Sequence, residues 1–360
     1  MLKFIFNRLL LGVPVLTGVV IVIFFLFHAL PGDPTRMLVG QRSDIAGIES
    51  IKKDLGLDKP LFMQFANYIN DLSPVSLHNN ADKENYWYLD KEKYSNSYKL
   101  FNITKNNAIV VKPPYLRKSY QTRRNVSDII KEAFPNTLIL AISSITIALF
   151  FGIFLGIISS KFKNTFIDKF ILVVSVIGMS VPSFFAAILM AWVFAFLLGD
   201  ITGLNLFGSL YSVDSMGRGE YIELKNLILP AITLGIRPLA VIIELTRNSF
   251  LDVMSMDYIR TARAKGVTEW NIYNKHAMKN ALNPVITTAS NWVASLFAGA
   301  VFVEYIFDWK GIGYTIVNAL EQFDLPVIMG IILFISCIFI LINIIIDIIY
   351  KLLDPRVRLG

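Results

Sequence analysis

The 360-residue chain predicts an all-α polytopic membrane protein with six transmembrane helices. Three observations carry that expectation. Hydrophobic residues make up 54% of the chain and charged residues 17%, and mean hydropathy is +0.56, outside the range of soluble globular proteins. Six apolar stretches, near 9–30, 136–160, 170–198, 227–249, 284–303 and 326–350, are long enough to cross about 30 Å of hydrocarbon at about 1.5 Å per residue. Basic residues crowd into alternate short connections.

The first run follows Lys3 and Arg8, a basic start that a signal peptide would share. Its apolar stretch is too long for that, and FHALPGD is a poor small-residue cleavage site, so a span is the better reading. Residues 31–132 then form an extracytoplasmic segment. Its first part holds PGDP at a sharp turn and IESIKKDLGLDKPLFMQFANYI with helical apolar spacing. The part from 73 to 124 is rich in Asn, Lys, Ser and Tyr, and Tyr86, Trp87, Tyr88, Tyr94 and Tyr98 are among too many aromatics for a plain linker. A small folded module inserted between the first two spans is expected. It is either a decoration packed on the spans, the simpler reading, or a docking surface or lid for a delivered ligand. The third apolar run carries Gly178 and Pro182 within VIGMSVPSFF, where a buried proline removes a backbone hydrogen bond and kinks the helix. Such kinks recur in transporters that rock about a cavity, and in membrane bundles generally.

Orientation follows from the 34 Lys and Arg. The N-terminal tail, the 161–169 turn, the 247–281 loop and the C-terminal tail hold 14 of them, and the alternate short loops hold three, Arg218, Lys225 and Lys310. Both termini and the 247–281 loop are therefore expected on the cytoplasmic side of the inner membrane. The net charge of +7 needs no nucleic-acid partner, because many of these cations are topology signals. The single Cys337 lies in an apolar run, so no intrachain disulfide forms.

One segment breaks the apolar pattern, DYIRTARAKGVTEWNIYNKHAMKNALNP from Asp257 to Pro284. Gly266 can leave the right-handed helix and Thr268 can cap a new one, giving helix, turn, helix. In the second helix Trp270, Tyr273, Ala277, Met278 and Ala281 share an apolar stripe, with Asn271, Asn274, Lys275, Lys279 and Asn280 elsewhere. Such a stripe suits a partner's groove, and an interfacial helix on anionic membrane lipid needs the same residues.

The chain lacks the chemistry of an enzyme. There is no G-x-x-x-x-G-K-[ST] phosphate loop, HExxH, CxxC or GxSxG, and His28, His78 and His276 are too scattered for a metal site. Active transport would draw on an ion gradient or on a separate ATPase. Glu244 and Asp347 are the acidic candidates for ion coupling. Glu244 shares a helix face with Arg237 and Arg247, so the three are expected to neutralise one another, and Asp347 to pair with Lys351. Alternatively Arg237, mid-span and followed by Pro238, lines the path and meets an anionic substrate group.

HALPGDP, LGLDKPLFMQF, FPNTLILA, RTARAKG with HAMKNALNP, GAVFVEYIFDWKGIG and INIIIDIIYKLLDPRVRL together cover almost the whole chain. In these the chain resembles the first of the two homologous permease subunits of the dipeptide, oligopeptide and nickel ABC importers. The resemblance implies the type I ABC importer fold and a non-catalytic transport subunit without a cofactor of its own. It implies as partners a homologous second permease, two ATP-binding subunits that hold ATP and Mg, and an extracytoplasmic substrate-binding protein. In that family a cytoplasmic loop with a Glu-Ala-Ala and Gly motif inserts into the ATPase. Gly266 stands at the Gly position, and Arg260, Thr261 and Ala262 replace Glu-Ala-Ala. The coupling residues so implied are Arg260, Thr261, Ala262, Arg263, Ala264, Gly266, Trp270, His276 and Asn280. Candidates for the translocation path are Pro182, Arg237, Glu244 and Asn291, and for an external gate or docking surface Pro31, Gly32, Asp33, Glu304, Gly311 and Gly313. Peptide is the first choice of substrate. Nickel or oligosaccharide import, a gradient-driven carrier and a membrane-anchored assembly protein are the alternatives.

Overall fold

Apolar runs of membrane length satisfy their backbone groups only within themselves, and helices do so. The computed structural model describes residues 2–29, 58–82, 85, 87–90, 93–94, 96–214, 216 and 219–353. In chain order these form α1 (Leu2–Ala29), α2 (Leu61–Leu72), β1 (Val75–Asn79), β2 (Tyr98–Asn102), β3 (Asn107–Val111), α3 (Val126–Lys161), α4 (Phe166–Ser180) and α5 (Ser183–Met190), the last continued by a π-helical stretch Ala191–Leu197. A short hairpin, β4 (Tyr211–Val213) and β5 (Glu220–Ile222), leads to α6 (Lys225–Met254), α7 (Asp257–Ala264), α8 (Met278–Ile306), α9 (Ile312–Glu321) and α10 (Leu325–Leu353). Among the described residues, five helices have the length and composition of a membrane crossing, namely α1, α3, α6, α10, and α8 together with the helical turns that lead into it from Glu269.

The expected third span differs from a kinked helix. It consists of α4 and α5, bent by 111° at the break, and six candidate spans result when the pair counts as one. Pro182 is the cause. Its ring disfavours the helical conformation at the residue before it, and Val181 is extended at ψ 126°.

Two units are distinguished, residues 1–13, 133–317 and 335–360 in the first and residues 14–132 and 318–334 in the second. In the first, α3 lies directly on α6. Gly152 and Gly156 sit one turn apart on α3, and a Cβ on either would fall 2.6 Å from the Ile242 side chain or 2.5 Å from that of Thr246. This small-xxx-small seam lets two backbones approach where lipid supplies no hydrophobic drive between helices. The core continues through Leu140, Ala148, Val285, Ala300, Val303 and Trp309. Arg8 pairs with Asp347 at 2.9 Å, tying α1 to α10, whereas the side chain of Lys351, its expected partner, lies outside the described residues.

The second unit includes a small strand-containing region. It holds a three-stranded antiparallel sheet, order β1-β3-β2, with Leu77 opposite Ile109 and a register shift between Lys99 and Phe101. Ala108 and Val110 of β3 are fully buried, and every residue of β2 is exposed. Asp71, from the last turn of α2, organises the interior. It accepts hydrogen bonds from Tyr94 Oη at 2.6 Å, Lys93 Nζ at 3.1 Å and Arg117 Nε at 3.1 Å. Burial alone would raise its pKa, but Lys93, Arg117 and Tyr94 hold the carboxyl below the ordinary range, so it stays ionised. Burial likewise pushes Tyr68 and Tyr115 up to about 12.

Candidate functional site

The cationic interruption folds as helix, turn, helix, with Gly266 in the left-handed region at φ +76°. Gly266 N donates to Arg263 O at 2.9 Å and Val267 N to Ala262 O at 3.2 Å, the paired bonds of a Schellman cap. Val267 packs with buried Ala262 under that cap. Thr268 occupies the next N-cap position with extended backbone, without a side-chain capping bond. The new helix starts at Glu269 and continues into α8, which runs on through Pro284. The boundary expected between loop and span therefore does not exist, and the second helix of the segment is the first part of the span.

The apolar stripe is not left for a partner. Ile259, Ala262, Ile272, Ala277 and Ala281 bury themselves against Phe250 and Val253 at the end of α6, and the Tyr273 ring stacks on Phe250 at 6.1 Å. Trp270, expected on the same face, is 77% exposed. The reason is local. Residues Ile272–Ala277 form a π-helical turn, and the buried positions run Ile272, Ala277, Ala281, Val285, with one step of five before the steps of four. One extra residue rotates what precedes it by about 100°.

What remains outside is polar and cationic. Arg260, Thr261, Ala264, Lys265, Trp270, Lys275, His276, Lys279 and Asn280 are exposed. Arg263 is held in a fork by Glu269, Nε to Oε1 at 2.8 Å and Nη2 to Oε2 at 3.3 Å, and that hydrogen bonding raises the guanidinium pKa further. Tyr258 is the hub of a second bridge, since Asn280 Nδ2 donates to its hydroxyl at 2.9 Å and that hydroxyl reaches His276 O at 3.4 Å. Both bridges join α7 to the helix after the turn, so the two halves are braced across Gly266.

Among the path candidates, Arg237 and Glu244 lie exposed on α6, and neither has an ion-pair partner among the described residues. The expected neutralisation is found only at a distance, since the Glu244 charge acts on Arg247 without a direct ion pair. Arg247 instead forms a two-pronged pair with Asp168 of α4, at 2.6 and 2.7 Å, and Asp168 also accepts from Ser159 Oγ at 2.5 Å and Asn164 N at 2.8 Å. The planar guanidinium meets a carboxylate already fixed by two other donors, a better match than a one-turn neighbour on its own helix. Asn291 lies on an exposed stripe of α8 with Asn283, Thr287 and Ser295, polar on a helix of membrane length. Pro182 is exposed at the α4–α5 break.

Pro31, Gly32 and Asp33 lie outside the described residues. Of the other gate or docking candidates, Glu304 is wholly buried and Gly311 and Gly313 are buried. Glu304 Oε2 accepts from Gly313 N at 2.6 Å and Tyr314 N at 3.1 Å, capping the start of α9. Gly311 and Gly313 are glycine for space. A Cβ on Gly311 would lie 2.4 Å from Glu304 Oε2, and one on Gly313 2.4 Å from Val301 Cα. Trp309 Nε1 donates to Asn136 O at 3.0 Å, and Thr137 Oγ1 accepts from Ile312 N at 2.8 Å, so the corner is stitched to α3. These residues make a core joint, which no spacing in the sequence distinguishes from a surface motif.

Two family models match the chain. Residues 148–359 match the inner membrane component of binding-protein-dependent transport systems, and residues 1–83 match the N-terminal part of such membrane components. The dipeptide transport system permease protein DppB of Alkalihalophilus pseudofirmus is 32% identical, with 99% of this chain and 100% of that protein aligned. The glutathione transport system permease protein GsiC of Escherichia coli (strain K12) is 34% identical over 99% of each. Among solved structures, an inward-facing MetNI methionine ABC transporter chain superposes with a TM-score of 0.50 at 14% identity, covering 63% of this chain and 96% of that one. A fold shared with an ABC transporter, and a match along nearly the full length of two transport permeases, lead to one conclusion: the chain belongs to the family of inner-membrane components of binding-protein-dependent transport systems.

Proposed function

We propose that the chain is the permease subunit of an ATP-driven peptide importer, supplying half of the translocation path opposite a homologous second permease. Two ATP-binding subunits, which hold the ATP and Mg, act on the 257–281 face. An extracytoplasmic binding protein delivers substrate, and both termini lie in the cytoplasm. One observation carries the coupling assignment: the segment has a cationic exposed face and an inner face locked into the end of α6. Such a segment moves as a rigid piece. Force on α7 reaches α6 through Ile259 and Phe250, and reaches α8 because the helix after the turn runs into it without a break.

The peptide assignment is supported by relatives that carry dipeptide and glutathione in their names. It is also supported by Arg237. An exposed arginine on a membrane-length helix is costly against lipid and belongs on a watered route, where it suits a peptide carboxylate. The polar stripe through Asn291 gives α8 a second wettable face. The test is uptake of labelled dipeptide, with nickel as the competing substrate, by vesicles holding the assembled complex. Gly266→Val, a β-branched residue forced into the left-handed region, is expected to abolish uptake while the chain still inserts and assembles. Normal uptake by that variant would sink the coupling assignment. Nickel uptake without peptide uptake would sink the substrate.

A further inference from the structure

α2 is amphipathic the wrong way round for a helix in water. At about 100° per residue, Asn67, Tyr68 and Asp71 share one side and Phe62, Phe65, Ala66 and Ile69 the opposite side. The polar side is the buried one. Asn67, Tyr68 and Asp71 are each at most 3% exposed, with Asn67 Oδ1 accepting from Trp87 Nε1 and Asp71 meeting Lys93, Tyr94 and Arg117. The apolar side looks outward, with Phe62 82% and Ile69 40% exposed, and Leu61 and Met63 exposed beside them.

The position of α2 identifies what covers this face. The Phe65 ring lies 5.0 Å from Phe24 and 5.6 Å from Phe25, and Tyr68 stacks on Phe24 at 5.8 Å. Phe24 and Phe25 belong to the last turns of the apolar run Ile5–Leu26 that makes α1 a membrane crossing. The rings thus fasten α2 at the depth where hydrocarbon gives way to headgroups, the level at which aromatic side chains gather. A helix there needs apolar residues turned to lipid and polar residues turned to its own domain, which is the observed arrangement.

We propose that α2 is an interfacial helix that lays Phe62 and Ile69 into the bilayer boundary and so moors the three-stranded sheet to the membrane surface. The inference rests on α1 crossing the bilayer, not on the coupling or substrate assignments. It is tested in the full chain, with Cys337 replaced by Ser, in phospholipid vesicles. Single cysteines are placed by Phe62→Cys, Ile69→Cys, Lys59→Cys and, as a control on the exposed side of α1, Val22→Cys, then spin-labelled. Relaxation by oxygen, which partitions into lipid, is compared with relaxation by a water-soluble nickel chelate.

Oxygen is expected to dominate at 62, 69 and 22, and the chelate at 59. Chelate dominance at 62 and 69 with a lipid-exposed label at 22 would overturn the proposal, because the face would then be in water. Protection of 62 and 69 from both agents would also overturn it, in favour of a protein partner. Chelate dominance at 22 as well would refute the span on which the proposal rests. The two α2 positions are independent, so either one decides the matter if the other variant does not insert.

Discussion

The continuous helix Glu269–Ile306 is flanked on each side by glycine, for opposite reasons. At Gly266 an added Cβ would meet nothing within 4 Å, and only the left-handed backbone calls for glycine. At Gly311 and Gly313 φ is ordinary and the surroundings are full, with Glu304 and the Val301 backbone 2.4 Å from where a Cβ would sit. One end is open at the surface and the other is a closed joint. A glycine-bearing motif therefore says nothing about exposure until its backbone and its neighbours are known.

The largest expected effect concerns what steadies the open end. Asp168→Asn leaves Arg247 mostly buried without its counter-charge, three residues before Phe250, and should destabilise the chain by about 3–5 kcal/mol. Thermal unfolding in detergent measures it. Combining it with Arg247→Gln should recover part of the loss. No recovery would mean that the pair is not what holds α4 to α6.

The next test sets the glycines against each other. Gly313→Ala should cost about 3 kcal/mol through overpacking against backbone, and Gly266→Ala about 1–2 kcal/mol through the left-handed conformation alone. Asn tolerates that conformation, so Gly266→Asn should restore most of the difference while Gly313→Asn should be worse than Gly313→Ala. Equal responses at the two sites would break the contrast between conformation and space.

The smallest effect lies in the sheet and serves as a reference away from both ends. His78 is buried, and burial with the nearby Lys112 and Lys93 charges lowers its pKa to about 4, against the pull of the Trp87 carbonyl and Asp71. The unfolded chain then binds a proton that the folded one refuses between about pH 6.5 and about pH 4. Stability of the sheet should be level above that window and fall as pH drops through it. Hydrogen exchange at the β1 and β3 amides reads this directly, and protection that holds steady down to pH 4 would remove His78 from the account.

Much of the helical frame was legible because membrane-length apolar runs leave the backbone little choice. The turn at Gly266 was legible too, since a glycine after a cationic stretch is a local signal. Other features depend on distant partners. Asp168 gives no signal within its basic turn because its arginine is 79 positions away. Glu304 reads as a candidate for an external gate or docking surface because Gly311 and Gly313 close on it only once the chain has turned back. The strands of the module were hidden by their length, with only five residues each. The Trp270 stripe differs for another reason, since a constant period does not hold across the π-helical turn Ile272–Ala277.

That wide turn at Ile272–Ala277 makes the segment sensitive to length in a way that composition does not reveal. A lineage that lost one residue there would regain an even α-helix and swing Trp270 toward the side now occupied by alanines, with no substitution at all. Alignments among relatives should therefore count residues between the glycine and the span as carefully as they match them. A single-residue gap would turn everything before it by about 100° relative to the span.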